Sequence, residues 1–158
     1  MGVGKSTVGR LLAKLLGLPF YDSDREIEER AGANISWIFD KEGEQGFRER
    51  ETSVLTDLMK NTSMVLATGG GIVMRRENRK LLKKADNICY LTANPTLLME
   101  RTEKNNKRPL LQTDNPNDKI LSLLQERDPL YREVATLTVA TDAHSPRKTA
   151  QEIIRHLH

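Results

Sequence analysis

The chain has 158 residues, of which 30% are charged and 4% aromatic, and its formal net charge is +3. That length suits a single domain with a substantial core, and so many charges with so few aromatics fit a soluble helix-rich enzyme better than a β-sandwich. A sequence pI near 9.1 is only mildly basic, and acidic and basic residues alternate without a long block, so an anionic small molecule explains the excess without nucleic acid.

The opening Met1-Gly2-Val3-Gly4-Lys5-Ser6-Thr7 reads as the end of a phosphate-binding loop, G-x-x-x-x-G-K-[ST], running into a helix. Gly2, Val3 and Gly4 supply close backbone approach and inward N–H groups. Lys5 brings a cation to the β/γ-phosphates, Ser6 offers a hydroxyl to Mg²⁺, and the helix points the positive end of its dipole at the same spot. The first glycine of the motif and the strand that feeds it would lie ahead of Met1. The expectation is that such a strand would form the middle of the sheet and that the chain is less stable and less active without it. The bland alternative is a chance Gly-Lys-Ser-Thr at a helix start.

Val8, Leu11, Leu12 and Leu15 give that helix one apolar face, and Gly17 stops it. Leu18-Pro19-Phe20-Tyr21 is a short strand delivering Asp22-Ser23-Asp24 at its carboxyl end, the edge where parallel sheets place ligands. Ser23 with Glu26 has capping-box spacing for a helix reaching Ala31 and stopped by Gly32. Trp37 is expected to pack with Ile38 in a small cluster. Gly43 and Gly46 loosen the next segment before a helix over residues 47–59, on which Phe47, Glu51, Val54, Leu55 and Leu58 share a stripe. A charge on that stripe predicts a buried Glu51 orienting Arg48, although an i, i+3 pair is more often a weak surface contact.

Residues 64–68 read as a buried strand ending in Gly69-Gly70-Gly71, which let a ligand approach the backbone closely. A charged helix over 75–84 and a strand over 87–92 follow, and Asn94-Pro95 starts another helix. The strand carries Cys89, the single cysteine, which suits a reducing cytoplasm. Residues 104–117 are polar, with Pro109 and Pro116, and read as a lid. A helix runs from Asp118 to Arg127-Asp128-Pro129, a strand covers 135–141, and Ser145-Pro146 caps the last helix. Strands alternating with helices predict a three-layer α/β domain over 1–158, a parallel sheet with helices on both faces. No apolar run would cross a membrane, and there is no secretory signal.

These motifs, in this order, are similar to those of the shikimate kinase family. They are Gly2-Val3-Gly4-Lys5-Ser6-Thr7, Asp22-x-Asp24, Gly43-Glu44-x-x-Phe47-Arg48-x-x-Glu51, Gly69-Gly70-Gly71, Arg108-Pro109-Leu110-Leu111 and Arg127-x-Pro129-Leu130-Tyr131. The phosphate loop alone is common; six motifs in register are specific. The resemblance implies a cytoplasmic kinase of P-loop type that moves the γ-phosphate of ATP to the 3-hydroxyl of shikimate, on the route to chorismate and aromatic amino acids. It implies Mg²⁺ as cofactor, ATP and shikimate as ligands, a monomer, and no nucleic acid or membrane partner.

By the same resemblance, Lys5 and the loop amides hold the ATP phosphates, while Ser6 ligates Mg²⁺ and Asp22 holds it through water. Asp24 binds the substrate hydroxyls and is the candidate base. Arg48 and Arg127 clamp the carboxylate, with Gly69, Gly70, Gly71 and Phe47 as the pocket floor in a substrate segment of about 24–60. Arg108 swings in with the lid, and Arg101 and the loop near His144 lie against adenine. Taken singly, Asp24, Arg108 and Arg127 are ordinary surface charges. The rivals are another small P-loop kinase acting on gluconate or a nucleoside monophosphate, and a nucleotide-binding module without catalysis.

Overall fold

The structure is a computed structural model that describes residues 4–103, 115–142 and 144–157. Gly2, Val3 and Arg108, with most of the expected lid, lie outside the described residues.

Helix α1 (Lys5–Leu16) begins at Gly4, whose φ of 84° is a left-handed value that glycine adopts without strain, and ends at Gly17. Strand β1 (Phe20–Asp22) follows, and then α2 (Ser23–Ala31). The cap of α2 differs from expectation: Asp22, not Ser23, accepts the backbone N–H groups of Asp24 and Arg25. A carboxylate takes both orphan donors, which leaves the Ser23 hydroxyl to turn inward and accept the Gly69 N–H at 3.1 Å.

Helix α3 (Ile35–Leu58) is broken at Gly43, where φ 74° and ψ 178° are non-helical. Its second half therefore starts before residue 47. Ile38 is fully buried while Trp37 is 47% exposed, so the expected Trp37–Ile38 pair does not form; consecutive helical residues point apart. The stripe of Phe47, Glu51, Val54, Leu55 and Leu58 is buried as its spacing requires.

Strand β2 (Val65–Ala67) leads into a tight 3₁₀ turn (Gly70–Met74), then α4 (Arg76–Leu82), β3 (Cys89–Thr92) and α5 (Pro95–Glu103). Helix α6 (Pro116–Val134) corrects the sequence reading at both ends. It starts inside the segment assigned to the lid and continues through Pro129. Proline removes one helical hydrogen bond, to the Gln125 carbonyl. Tertiary contacts hold the extra turn: the Tyr131 hydroxyl donates to the Gly70 carbonyl at 2.6 Å, and Val134 is buried. Strand β4 (Leu137–Ala140) and α7 (Pro146–Arg155), capped by Ser145, complete the chain.

The strands are parallel but form two pairs. Phe20, Tyr21 and Asp22 pair with Val65, Leu66 and Ala67, and Cys89–Thr92 pairs with Leu137–Ala140. Among the described residues β2 and β3 are not hydrogen-bonded to each other. One apolar cluster joins α1, α5, α6 and α7 to β3 and β4 through Val8, Leu91, Leu98, Ile120, Val139 and Ile153. A second ties α2 to α3 through Ile27, Ile38, Phe47 and Val54. The third links α3, the turn and α6 through Leu55, Ile72, Val73 and Val134. A cavity of about 890 Å³ runs between β2 and β3. No helix among the described residues is long and apolar enough to cross a membrane.

Candidate active site

The phosphate end is built from α1 and β1. Lys5 and Ser6 occupy the first turn of α1, and the Ser6 hydroxyl donates to the Asp22 carboxylate at 2.6 Å. Asp22 also holds the Asp24 backbone N–H at 3.0 Å. One carboxylate thus ties the start of α1 to the start of α2, where Asp24 lies. A hydroxyl and a carboxylate in contact form the hard oxygen set that suits Mg²⁺. No group of three or more His, Cys, Asp or Glu side chains among the described residues could hold a metal by itself. Thr7 lies on the exposed side of the same turn.

The second end is built from α3, the glycine turn and α6. Arg48 and Glu51, one turn apart, are both buried and joined at 3.2 Å, and Glu44 approaches the other arm of Arg48 at 3.3 Å. The surface-pair reading is thereby set aside for Glu51. Arg48 also lies 5.5 Å from the centre of the Phe47 ring, and that ring stacks against Phe39 at 4.8 Å. Phe47 is thus a core residue that supports Arg48 from beneath.

Burial pushes the Glu51 carboxyl from 4.5 up to about 7. The Arg48 charge opposes that rise, the Asp24 charge adds to it, and Arg127 pulls weakly downward. These couplings put Asp24, Arg48, Glu51 and Arg127 in one electrostatic neighbourhood, although they come from three helices. Arg127 is only 4% exposed, and its Nε has no hydrogen-bond partner among the described residues. A buried guanidinium with an open donor is costly unless an anion completes it.

The glycines explain how these groups fit. A Cβ on Gly69 would stand 2.6 Å from the Asp24 carboxylate, and one on Gly71 would overlap the Arg48 guanidinium. Gly69 and Gly71 are therefore the contact surfaces on which the acid and the base rest. Gly70 is fixed through its carbonyl by Tyr131.

Two contributors escaped the sequence reading. Ser23 looked like a helix cap but clamps the glycine turn from inside. Tyr131 anchors that turn to α6, alongside a Tyr90–Asp128 hydrogen bond of 2.8 Å. The advance signals were that Ser23 stands between Asp22 and Asp24 and that Tyr131 closes the Arg127-x-Pro129-Leu130-Tyr131 motif, with no site role assigned to either.

The residues expected to flank adenine are less tightly gathered. Arg101 sits half-buried in the last turn of α5. The loop after β4 touches the start of that helix, with Asp142 accepting the Asn94 N–H at 2.6 Å. His144 is exposed there.

Comparison with known proteins agrees with this geometry. The family model described as shikimate kinase matches residues 1–158. A shikimate kinase of Pseudomonas paraeruginosa is 54% identical over 157 residues, spanning 99% of this chain and 91% of that protein. The structure of shikimate kinase from Acinetobacter baumannii in complex with shikimate is 52% identical, with a TM-score of 0.95 over 98% of this chain and 87% of that one. The enzyme from Aquifex aeolicus superposes with a TM-score of 0.85 at 36% identity, covering 98% of this chain and 90% of that one. The chain belongs to the shikimate kinase family.

Proposed function

We infer that the chain is an ATP-dependent kinase that transfers the γ-phosphate of ATP to the 3-hydroxyl of shikimate. The carrying observation is that Asp24 and Arg48 rest on Gly69 and Gly71 while Asp24, Arg48 and Arg127 all act on the buried Glu51 carboxyl, with Asp22 tying Ser6 to the start of the same helix as Asp24.

In this reading the substrate carboxylate bridges Arg48 and Arg127 and supplies the acceptor that the Arg127 Nε lacks. Glu51 holds Arg48 in place from behind. Asp24, lying against Gly69, accepts the substrate hydroxyls and either takes the proton or orients the attacking oxygen. Lys5 and the loop amides hold the phosphates with their chain directed at Asp24. Mg²⁺, when bound through Ser6 and Asp22, neutralises charge on the phosphate oxygens. Arg108 would add a cation to the transferring group, the segment around residues 104–117 would exclude water, and Arg101 would flank adenine. A monomer in the cytoplasm completes the proposal.

A coupled ADP-release assay tests the assignment. ADP release that requires shikimate is expected. Release with gluconate or a nucleoside monophosphate in its place would move the chain to another acceptor, and no release with any acceptor would leave a nucleotide-binding module.

A further inference from the structure

The glycine turn seats two charged groups, so whatever fixes the turn also fixes them. Asp24 lies against Gly69 and Arg48 against Gly71, with no room for a Cβ at either place. Ser23 fixes the start of the turn by accepting the Gly69 N–H. Two further holds come from the end of α6. The Tyr131 hydroxyl donates to the Gly70 carbonyl at 2.6 Å, toward the short end of the range for such bonds. Farther along, Arg79 donates to the Val73 carbonyl at 2.7 Å and to that of Met74 at 3.2 Å. Its Nε meets the Glu133 carboxylate of α6, also at 2.7 Å. Tyr131 and Glu133, within one turn of α6, thus govern both ends of the 3₁₀ segment.

Tyr131 is itself held in place. Its ring packs on Tyr90 of β3 with centres 4.8 Å apart and planes tilted by 38°, an arrangement that aromatic pairs favour. The Tyr90 hydroxyl is tied back to Asp128 of α6 at 2.8 Å, and Arg132 donates to the other oxygen of that carboxylate at 2.8 Å. A phenol oxygen has no torsion of its own beyond the ring, so fixing the ring fixes where the hydroxyl acts. Arg127 and Tyr131 stand four residues apart on α6 and project from one side of it. The helix that presents the buried Arg127 therefore also grips the turn that seats Arg48.

We propose that Tyr131 is a positioning residue for substrate recognition: its hydroxyl, bonded to the Gly70 carbonyl, keeps the glycine turn in register with Arg127, so that the Arg48 and Arg127 guanidiniums face one carboxylate. The substrate in this statement rests on the kinase reading above; the hold on the turn does not. Tyr131 acts through the backbone of the turn and not on the reacting atoms. Loss of its hydroxyl should therefore weaken binding of the acid and spare the chemical step.

Tyr131→Phe removes that hydroxyl and keeps the ring. Tyr90→Phe is the matched control, because it removes the other half-buried hydroxyl of the same aromatic pair, which bonds Asp128 and not the turn. Both variants and the native chain are compared by melting, by amide exchange of residues 68–74, by shikimate titration without nucleotide and by steady-state kinetics. Tyr131→Phe should speed exchange in the turn and raise both Kd and KM for shikimate about five- to tenfold, the scale of one hydrogen bond, with kcat and the KM for ATP changed less than about twofold. Tyr90→Phe should melt lower by a similar amount, yet leave turn exchange and the shikimate constants as they are. Equal turn exchange in the two variants would overturn the proposal. So would faster exchange in Tyr131→Phe with an unchanged shikimate Kd, or an equal rise in Kd in Tyr90→Phe, which would mark general loosening. Failure of the kinase reading shows differently, as a native chain that neither binds shikimate nor releases ADP with it, and the exchange comparison still decides whether Tyr131 holds the turn.

Discussion

The two ends of the site are held by different means. At the proposed substrate end, charged groups are taken out of water and fixed by helix packing: Arg48 is 8% exposed, Glu51 1% and Arg127 4%. At the proposed nucleotide end, Gly4 and Thr7 are exposed, and Lys5, Ser6 and Arg101 are half-buried. A small rigid acid carries little binding energy and must be recognised by desolvated, preoriented partners. A triphosphate carries enough charge to be gathered by backbone amides and a helix terminus near the surface. Substitutions should therefore hit hard and selectively at the substrate end, and more diffusely at the nucleotide end.

The largest effect is expected at the point where the ends meet. Asp24→Asn keeps the shape beside Gly69 but removes the charge, and general-base or orienting groups of this kind contribute about 10²–10⁴ in rate. Turnover should fall on that scale while ATP affinity, measured by titration, changes little. Equal losses in both would remove Asp24 from the chemical step.

Next comes Arg127→Ala. Truncating one partner of a buried charged contact costs about 2–5 kcal/mol, so the KM for shikimate should rise roughly 10²-fold with ATP binding nearly intact. An unchanged KM would exclude the carboxylate clamp. Gly71→Ala should be milder. The new methyl meets the movable end of Arg48 and not backbone, so the fold survives, but the guanidinium must shift. A KM increase of about tenfold, near the 1–3 kcal/mol of a small overpacked contact, would sharpen the contrast. At Gly46 a methyl would stand 2.6 Å from the Glu42 Cβ, an atom held by the backbone, so Gly46→Ala should lower the melting temperature by overpacking.

Much of this arrangement was legible before any coordinates, and the reasons are local. Gly17 and Gly32 end their helices at positive φ as their positions required. The buried charge at Glu51 followed from its place on an apolar stripe. Misreadings arose where a distant partner decides a local choice. Ser23 had the spacing of a cap, yet Gly69, far along the chain, claims its hydroxyl. Pro129 looked like a helix end, yet Tyr131 and Val134 find partners that carry the helix past it. No spacing rule shows that Arg48 and Arg127, on different helices, both act on the Glu51 carboxyl. That convergence is a product of tertiary packing, and in the sequence it was available only through likeness to a family.

The smallest expected effect concerns Glu51 and separates its two tasks. Its carboxyl titrates near 4.5 when exposed and about 7 when buried, so the folded state binds the extra proton between those values. Stability from this group is fully present below about pH 4.5 and is lost as the pH rises through 7. The shift corresponds to about 3 kcal/mol. Over the same window the ionised carboxylate becomes the partner that holds Arg48 for the substrate, so binding should improve while the fold weakens. Denaturant unfolding at pH 4.5 to 8 should show a steeper loss for the native chain than for Glu51→Gln, which has no charge to bury. The variant should also lose the matching fall in shikimate KM. Parallel stability curves would mean that the Arg48 pair fully offsets the burial of Glu51, and the substrate end would then be fixed by packing without a titrating group.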